Sequence, residues 1–365
     1  MSTLEDFVPR WATPPGATIG DIVSAKSLPP KHLAETWGLS TDEYDRLLEG
    51  SLVVTTELAQ NLAETLGGSV SFWLRREQRF RRSLETVRAD QWVQSLPLAS
   101  MKKLEWLDVP ADWHARIDAC LQFFGADSLQ EWEGTYAQQL QGVRFRTSPT
   151  FPNQVSAVSA WLRAGEIARS QLKRTRFDAD EFALAIDEMR PLSRIPDPKT
   201  FIPKLQSITS ECGVACVIVP TPDGCAASGA SRVLEDGTAI IQLSARYLSD
   251  DQFWFSFFHE VGHLILHRER AIHVDGDSEA FETCIEETQA NSFSADVLWP
   301  FESRLESRFM KKPSRRDIVR LAAEVGTSPG IIIGQLQNEG VLEYTEYNNL
   351  KRRYRRSGHD IVLRR

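Results

Sequence analysis

The run FFHEVGHLILH, residues 257–267, places His259, Glu260 and His263 inside an apolar stretch. On a helix, residues four apart stand one above the other on the same face, so His259 and His263 can aim their rings at one point. Glu260 lies beside that point, where a carboxylate can take a proton from water. Phe255, Phe258, Gly262, Leu264 and Leu266 make the helix apolar on more than one side. Unpaired histidines are costly there, and coordination of a cation compensates for their burial. The stretch is therefore read as a buried helix carrying a metal centre. Zn2+, one per chain, is the ion expected, because it takes histidine nitrogen and activates water near neutral pH.

A catalytic zinc wants a third protein ligand and an open position. The downstream candidates are His267, His273, Glu279, Glu282, Glu286 and Glu287. The longer HExxHxxGxxH pattern is excluded, since Leu266 and Glu269 stand where glycine and histidine are required. His267 is rotated by about 80° from His259 and lies over ~10 Å further along the axis, which makes it a poor ligand. Glu287 is preferred. It opens a helix on which Ala290, Asn291, Ser294 and Val297 share its face, and small residues there let two helices approach closely. Glu286 would point about 100° away.

Elsewhere the 365 residues read as a multidomain protein, mainly α, with one small α+β, zincin-like part. Residues 1–90 read as short helices: about Lys31 to Trp37, a turn at 38–40, Thr41 to Glu49 behind Ser40, and Thr56 to Leu66. Residues 91–200 form a helical middle segment without a constellation of catalytic residue types, read as a spacer or packing domain. Residues 201–305 carry the β-branched runs VACVIVP and TAIIQLS ahead of the histidine helix. A helical pair follows at 306–345 and a basic tail at 346–365. LAETWGLS (33–40) and LAAEVGTS (321–328) echo each other, both describing a helix, a glycine turn and a serine-capped second helix. Five cysteines make no disulfide framework, and Cys212, Cys216 and Cys225 read as buried thiols. With no apolar run of about 18–20 residues, a membrane partner is not expected. MSTLEDF lacks a signal-peptide core, and the cytoplasm is the expected compartment.

The two motifs together are similar to the ImmA/IrrE family of metallopeptidases. FWFSFFHEVGHLILH matches its active helix, and ETQANSFSADVLWP the helix that follows. CGVACVIVP, GASRVL and FWF resemble the family's sheet and the entry to the active helix, and GTSPGIIIGQLQNEG its downstream helical pair, so the resemblance covers about residues 200–345. Ser294 and Trp299 depart from the usual alanine and methionine. The resemblance implies a zincin-like fold, zinc held by His259, His263 and Glu287, and Glu260 as the catalytic base of an endopeptidase. It also implies a regulatory role, since relatives cleave or antagonise a repressor. His273 and Tyr247 are the residues considered for stabilising an oxyanion.

Residues 14–80 resemble the HigA-like branch of the Cro/repressor (XRE) helix-turn-helix class. That implies a DNA-reading helix over Thr41–Glu49, with Lys31, Thr41, Tyr44 and Arg46 as contacts. Asp42, Glu43 and Asp45 depart from the class. Residues 1–70 hold four Lys or Arg against ten acidic groups, and the whole chain has a formal net charge of -8. Phosphate binding needs positive charge, so a protein-binding module is the competing reading. Arg75, Arg76, Arg79, Arg81, Arg82, Arg88 and the closing KRRYRRSGHDIVLRR partly offset the balance.

The function expected is a zinc-dependent endopeptidase and transcriptional regulator. Its partners would be a repressor or antitoxin-type substrate protein, operator DNA, and a second copy through the helix-turn-helix or middle part. The alternative is a non-catalytic DNA-binding regulator or antitoxin with a structural or sensory zinc.

Overall fold

A computed structural model describes residues 11–140, 151–169, 176–267, 273–276, 285–308, 313–358 and 360–364. Two units are distinguished, residues 1–94 with 112–117 and residues 95–111 with 118–365.

The first unit is helical: α1 (Pro15–Ala25), α2 (Pro30–Thr36), α3 (Thr41–Glu49), α4 (Thr56–Leu66) and the 26-residue α5 (Val70–Ser95). Prolines open α1 and α2, where a missing N–H costs nothing. Ser40 and Glu43 cap each other reciprocally at the start of α3, and Gly50 ends it in the left-handed conformation. Ile19, Leu33, Leu47, Leu58, Leu62 and Trp73 form the core. One expected DNA contact is corrected here. Tyr44 is buried at 6% exposure and stacks on Trp37, with centroids 5.9 Å apart, so it packs the unit and does not face a groove. Lys31, Thr41 and Arg46 are exposed. Of the basic run on α5, Arg81 pairs with Glu77 at 2.6 Å and Arg76 donates to Thr18 and the Pro14 carbonyl.

The second unit is built on a four-stranded sheet: β1 (Val214–Ile218), β2 (Ala227–Val233), β3 (Ala239–Leu243) and β4 (His273–Gly276), in the order β1-β3-β2-β4. β1 runs parallel to β3, and β2 is antiparallel to both its neighbours. All five residues of β3 are buried, which requires cover on both faces. Ala239, Ile241 and Leu243 pack on one side with Phe253, Trp254 and Phe257. The other side meets α6 (Phe151–Arg169), where Gln242 donates to the Trp161 carbonyl and Arg232 to that of Leu162. Trp161 Nε1 donates in turn to the Val219 carbonyl. Residues read from sequence as a separate middle segment thus supply the sheet's second cover. Val155, Ala157, Val158, Ala160, Trp161, Leu162 and Ala164 are all buried, as in a helix wrapped on several sides.

Continuing along the chain are α7 (Pro198–Glu211), which precedes β1, α8 (Asp250–Leu266), α9 (Ile285–Leu298), α10 (Phe301–Arg308), α11 (Arg315–Val325), α12 (Pro329–Asn338) and the hairpin β5 (Tyr354–Ser357) with β6 (Asp360–Leu363). The echo between the two LA-containing segments is only partial. Gly326 turns left-handed as expected, but Ser328 makes no cap bond, and its hydroxyl donates to Asp250 on α8. The basic tail, too, folds in part. Lys351 pairs with Asp251 at 2.5 Å, Arg352 donates to the carbonyls of Ser193 and Arg194, and Arg356 to that of Ser244. Arg353 and Arg355 stay exposed. Among the described residues no helix is long and apolar enough to cross a membrane.

Candidate metal centre

α8 and α9 pack closely because Gly262 carries no side chain. A Cβ there would stand 3.1 Å from Phe293 and 3.3 Å from the Ala290 backbone. Ser294 adds a hydrogen bond to the Phe255 carbonyl, 2.9 Å long. The small-residue face predicted for the second helix is thus the contact surface, and it brings Glu287 to the histidines. His259, Glu260, His263 and Glu287 are 2, 0, 1 and 7% exposed.

Three donors converge. His259 Nε2 and His263 Nε2 lie 3.0 Å apart, and the Glu287 oxygens lie 3.2 Å from the first and 3.5 Å from the second. Ligands at about 2.0–2.1 Å from a tetrahedral zinc stand about 3.3 Å from one another. Asn291 Oδ1, 2.9 Å from His259 Nδ1, accepts the proton on that nitrogen and leaves Nε2 as a lone pair. Burial holds His263 below its ordinary value, which favours the uncharged ring. Burial alone would push the Glu287 carboxyl up. The two imidazoles packed against it outweigh that and keep it well below the usual carboxylate range, so it is the ionised member of the group. Two imidazole nitrogens and a carboxylate turned toward one point leave electron pairs facing each other. A cation resolves that conflict, so the residues fit a zinc ion.

Glu260 is held beside this point and does not join the converging group. Ser231 on β2 donates to its Oε2 at 2.6 Å. Gly229, two residues earlier, leaves the room it occupies: a Cβ there would sit 2.9 Å from Glu260 Cδ and closer still to Oε1. Neither partner was anticipated, because ASGASRV has no strand periodicity of apolar residues.

The other candidates separate. His273 pairs across the sheet with Ser231, and its ring stacks on that of His263 at 4.1 Å. A ring in that position braces His263. Tyr247 stands in the connection before α8, with the Arg246 guanidinium 5.7 Å from its ring centre. His267 reaches His263 and not the converging point. Glu279 and Glu282 lie outside the described residues.

Comparison with known families gives a match within the second unit. Residues 216–336 match the peptidase family model described as the IrrE N-terminal-like domain. The match spans about a third of the chain and contains both ligand helices, β1 from Cys216, and most of α12. The IrrE-like stretch is thus narrower than the 200–345 over which the sequence motifs run. No curated protein matches the chain.

Proposed function

We propose that the chain is a zinc-dependent endopeptidase in which His259, His263 and Glu287 hold the metal and Glu260 is the catalytic base. The convergence of those three donors on one point, with a buried carboxylate beside it, carries the reading. Bound zinc would supply a Lewis acid for the peptide carbonyl and ease loss of a proton from water. Glu260, fixed by Ser231, takes the proton from the attacking water and passes it to the leaving amine. His259 and His263 would bind through Nε2, and Glu287 would offset part of the metal's charge.

The substrate proposed is a repressor or antitoxin-type protein, recognised through the first unit. The exposed side of α3 carries Asp42 and Asp45 beside Arg46, a balance that suits a protein partner better than phosphate. Operator DNA contacted through Lys31, Thr41 and Arg46 is the competing role for that unit.

Metal analysis and processing of the proteins encoded beside this one test the proposal together. Wild type should hold one zinc per chain, and the double variant His259→Ala/His263→Ala none. Glu260→Gln should keep zinc and lose processing. Wild-type processing by Glu260→Gln would sink the mechanism.

A further inference from the structure

His263 has a second neighbour whose role the metal centre alone does not explain. His267 closes α8 with a non-helical backbone (φ -124°, ψ 45°), and its Nδ1 lies 3.1 Å from His263 Nδ1. On its far side, His267 Nε2 lies 2.8 Å from Gln289 Oε1 on α9. An amide oxygen only accepts, so Nε2 is the nitrogen that carries the proton, and in that tautomer Nδ1 is left as an acceptor. The donor facing that acceptor is His263 Nδ1–H. The other nitrogen of His263, Nε2, is then a lone pair aimed at Glu287 and His259.

His263, His267 and His273 also lie near enough to form a second three-histidine group. Proton placement argues against a cation there. His263 Nδ1 offers N–H and His267 Nδ1 receives it, while His273 Nε2 is turned to the His267 carbonyl at 3.4 Å. The same helix therefore serves both ligand histidines: Asn291 orients His259 directly, and Gln289 orients His263 through His267.

We infer that His267, held by Gln289, is a positioning residue that fixes the tautomer and ring orientation of His263 for metal binding. The inference rests on the zinc reading above. It predicts that loss of the acceptor weakens the metal site without weakening the fold, because His267 is only half-buried and stands at the end of α8.

The test uses the full chain, with zinc affinity measured by chelator competition and ligand geometry by the visible spectrum of the Co2+ form. His267→Phe keeps a ring and removes the acceptor. It should bind zinc about 10- to 100-fold more weakly and shift the cobalt bands, while the metal-free melting temperature stays at the wild-type value. His267→Asn, whose Oδ1 can stand in for Nδ1, should recover most of the loss. Gln289→Leu should weaken binding in the same direction by less. Wild-type zinc affinity in His267→Phe overturns the inference while leaving the three-ligand site intact. So does a second zinc per wild-type chain that His267→Phe removes, since His267 would then be a ligand. A wild-type chain that binds no zinc at all overturns the site itself, and this inference with it.

Discussion

Ser231 and Glu260 are joined by a 2.6 Å hydrogen bond between the middle of β2 and the third turn of α8, with both side chains fully buried. A base that moves protons must stay in reach of water, and this bond limits how far the Glu260 carboxylate can swing. Ser231→Ala should lower processing of a cognate protein by about 10- to 100-fold and leave zinc content at one per chain. Parallel turnover and zinc measurements check this; equal loss of both would show that the serine only supports the fold.

Gly229 makes room for that same carboxylate. Gly229→Ala should displace Glu260 and abolish processing while the metal stays bound. Gly134→Ala is the matched control, because a Cβ at Gly134 meets nothing within 4 Å. If the two variants process substrate equally well, Glu260 is not held where the reaction needs it.

Gly262 sets the separation of the ligand helices, so Gly262→Ala should act on the metal instead of the base. Phe293 and the Ala290 backbone must give way by a few tenths of an ångström, and Glu287 moves with them. Zinc affinity should fall by about tenfold or more, by analogy with other changes that disturb ligand orientation. Unchanged affinity in a chelator titration would show that Glu287 does not depend on that contact.

Asp250 gives a pH signature away from the metal. Burial, with Asp251 beside it, raises its carboxyl from 3.8 to about 6, against the lowering effect of Ser328 and Arg352. The folded chain therefore holds this proton more tightly than the unfolded chain. That stabilisation is complete below pH ~4 and is lost as pH rises through about 6, a difference of about 3 kcal/mol. Lys351 on Asp251 and the Tyr354 hydroxyl nearby complete the charged and titratable surroundings. Asp250→Asn should gain stability relative to wild type between pH 4 and 7 in urea unfolding. A difference that does not vary with pH refutes the assignment.

In the first unit, Tyr44→Ala should cost about 3–5 kcal/mol, the usual penalty for emptying a buried aromatic site. Arg46→Ala, on the exposed side of the same helix, should change stability by no more than about 0.5 kcal/mol. Similar melting curves for the two variants would return Tyr44 to the surface.

The sequence was legible where one pattern served one environment. VACVI and AIIQL announce themselves as strands because both faces of each are buried, and Glu287 is found through the small residues that follow it on its helix face. β2 was legible only through the resemblance of GASRVL to the family's sheet and not from its own pattern, since its inward positions are Gly229 and Ser231 for Glu260 on one face and Arg232 for the other. Arg232 is tolerated there because Glu166 pairs with it at 2.9 Å. His267 was judged by its distance from His259, whereas its neighbour is His263, one turn away. The hairpin at 354–363 was missed because its arginines mask Tyr354, Ile361 and Val362, which are buried.

Gln242 and Arg232 lie against α6, far upstream of the stretch that carries the metal ligands. A fragment cut to the family boundaries would bare those polar groups and the apolar strip between them, and Asp250 would lose its partner at residue 352 as well. The matched domain is therefore not a portable cassette. Recombination could transplant it only together with its upstream helix and its terminal hairpin, which ties the inheritance of the two histidine- and glutamate-bearing helices to that of their neighbours.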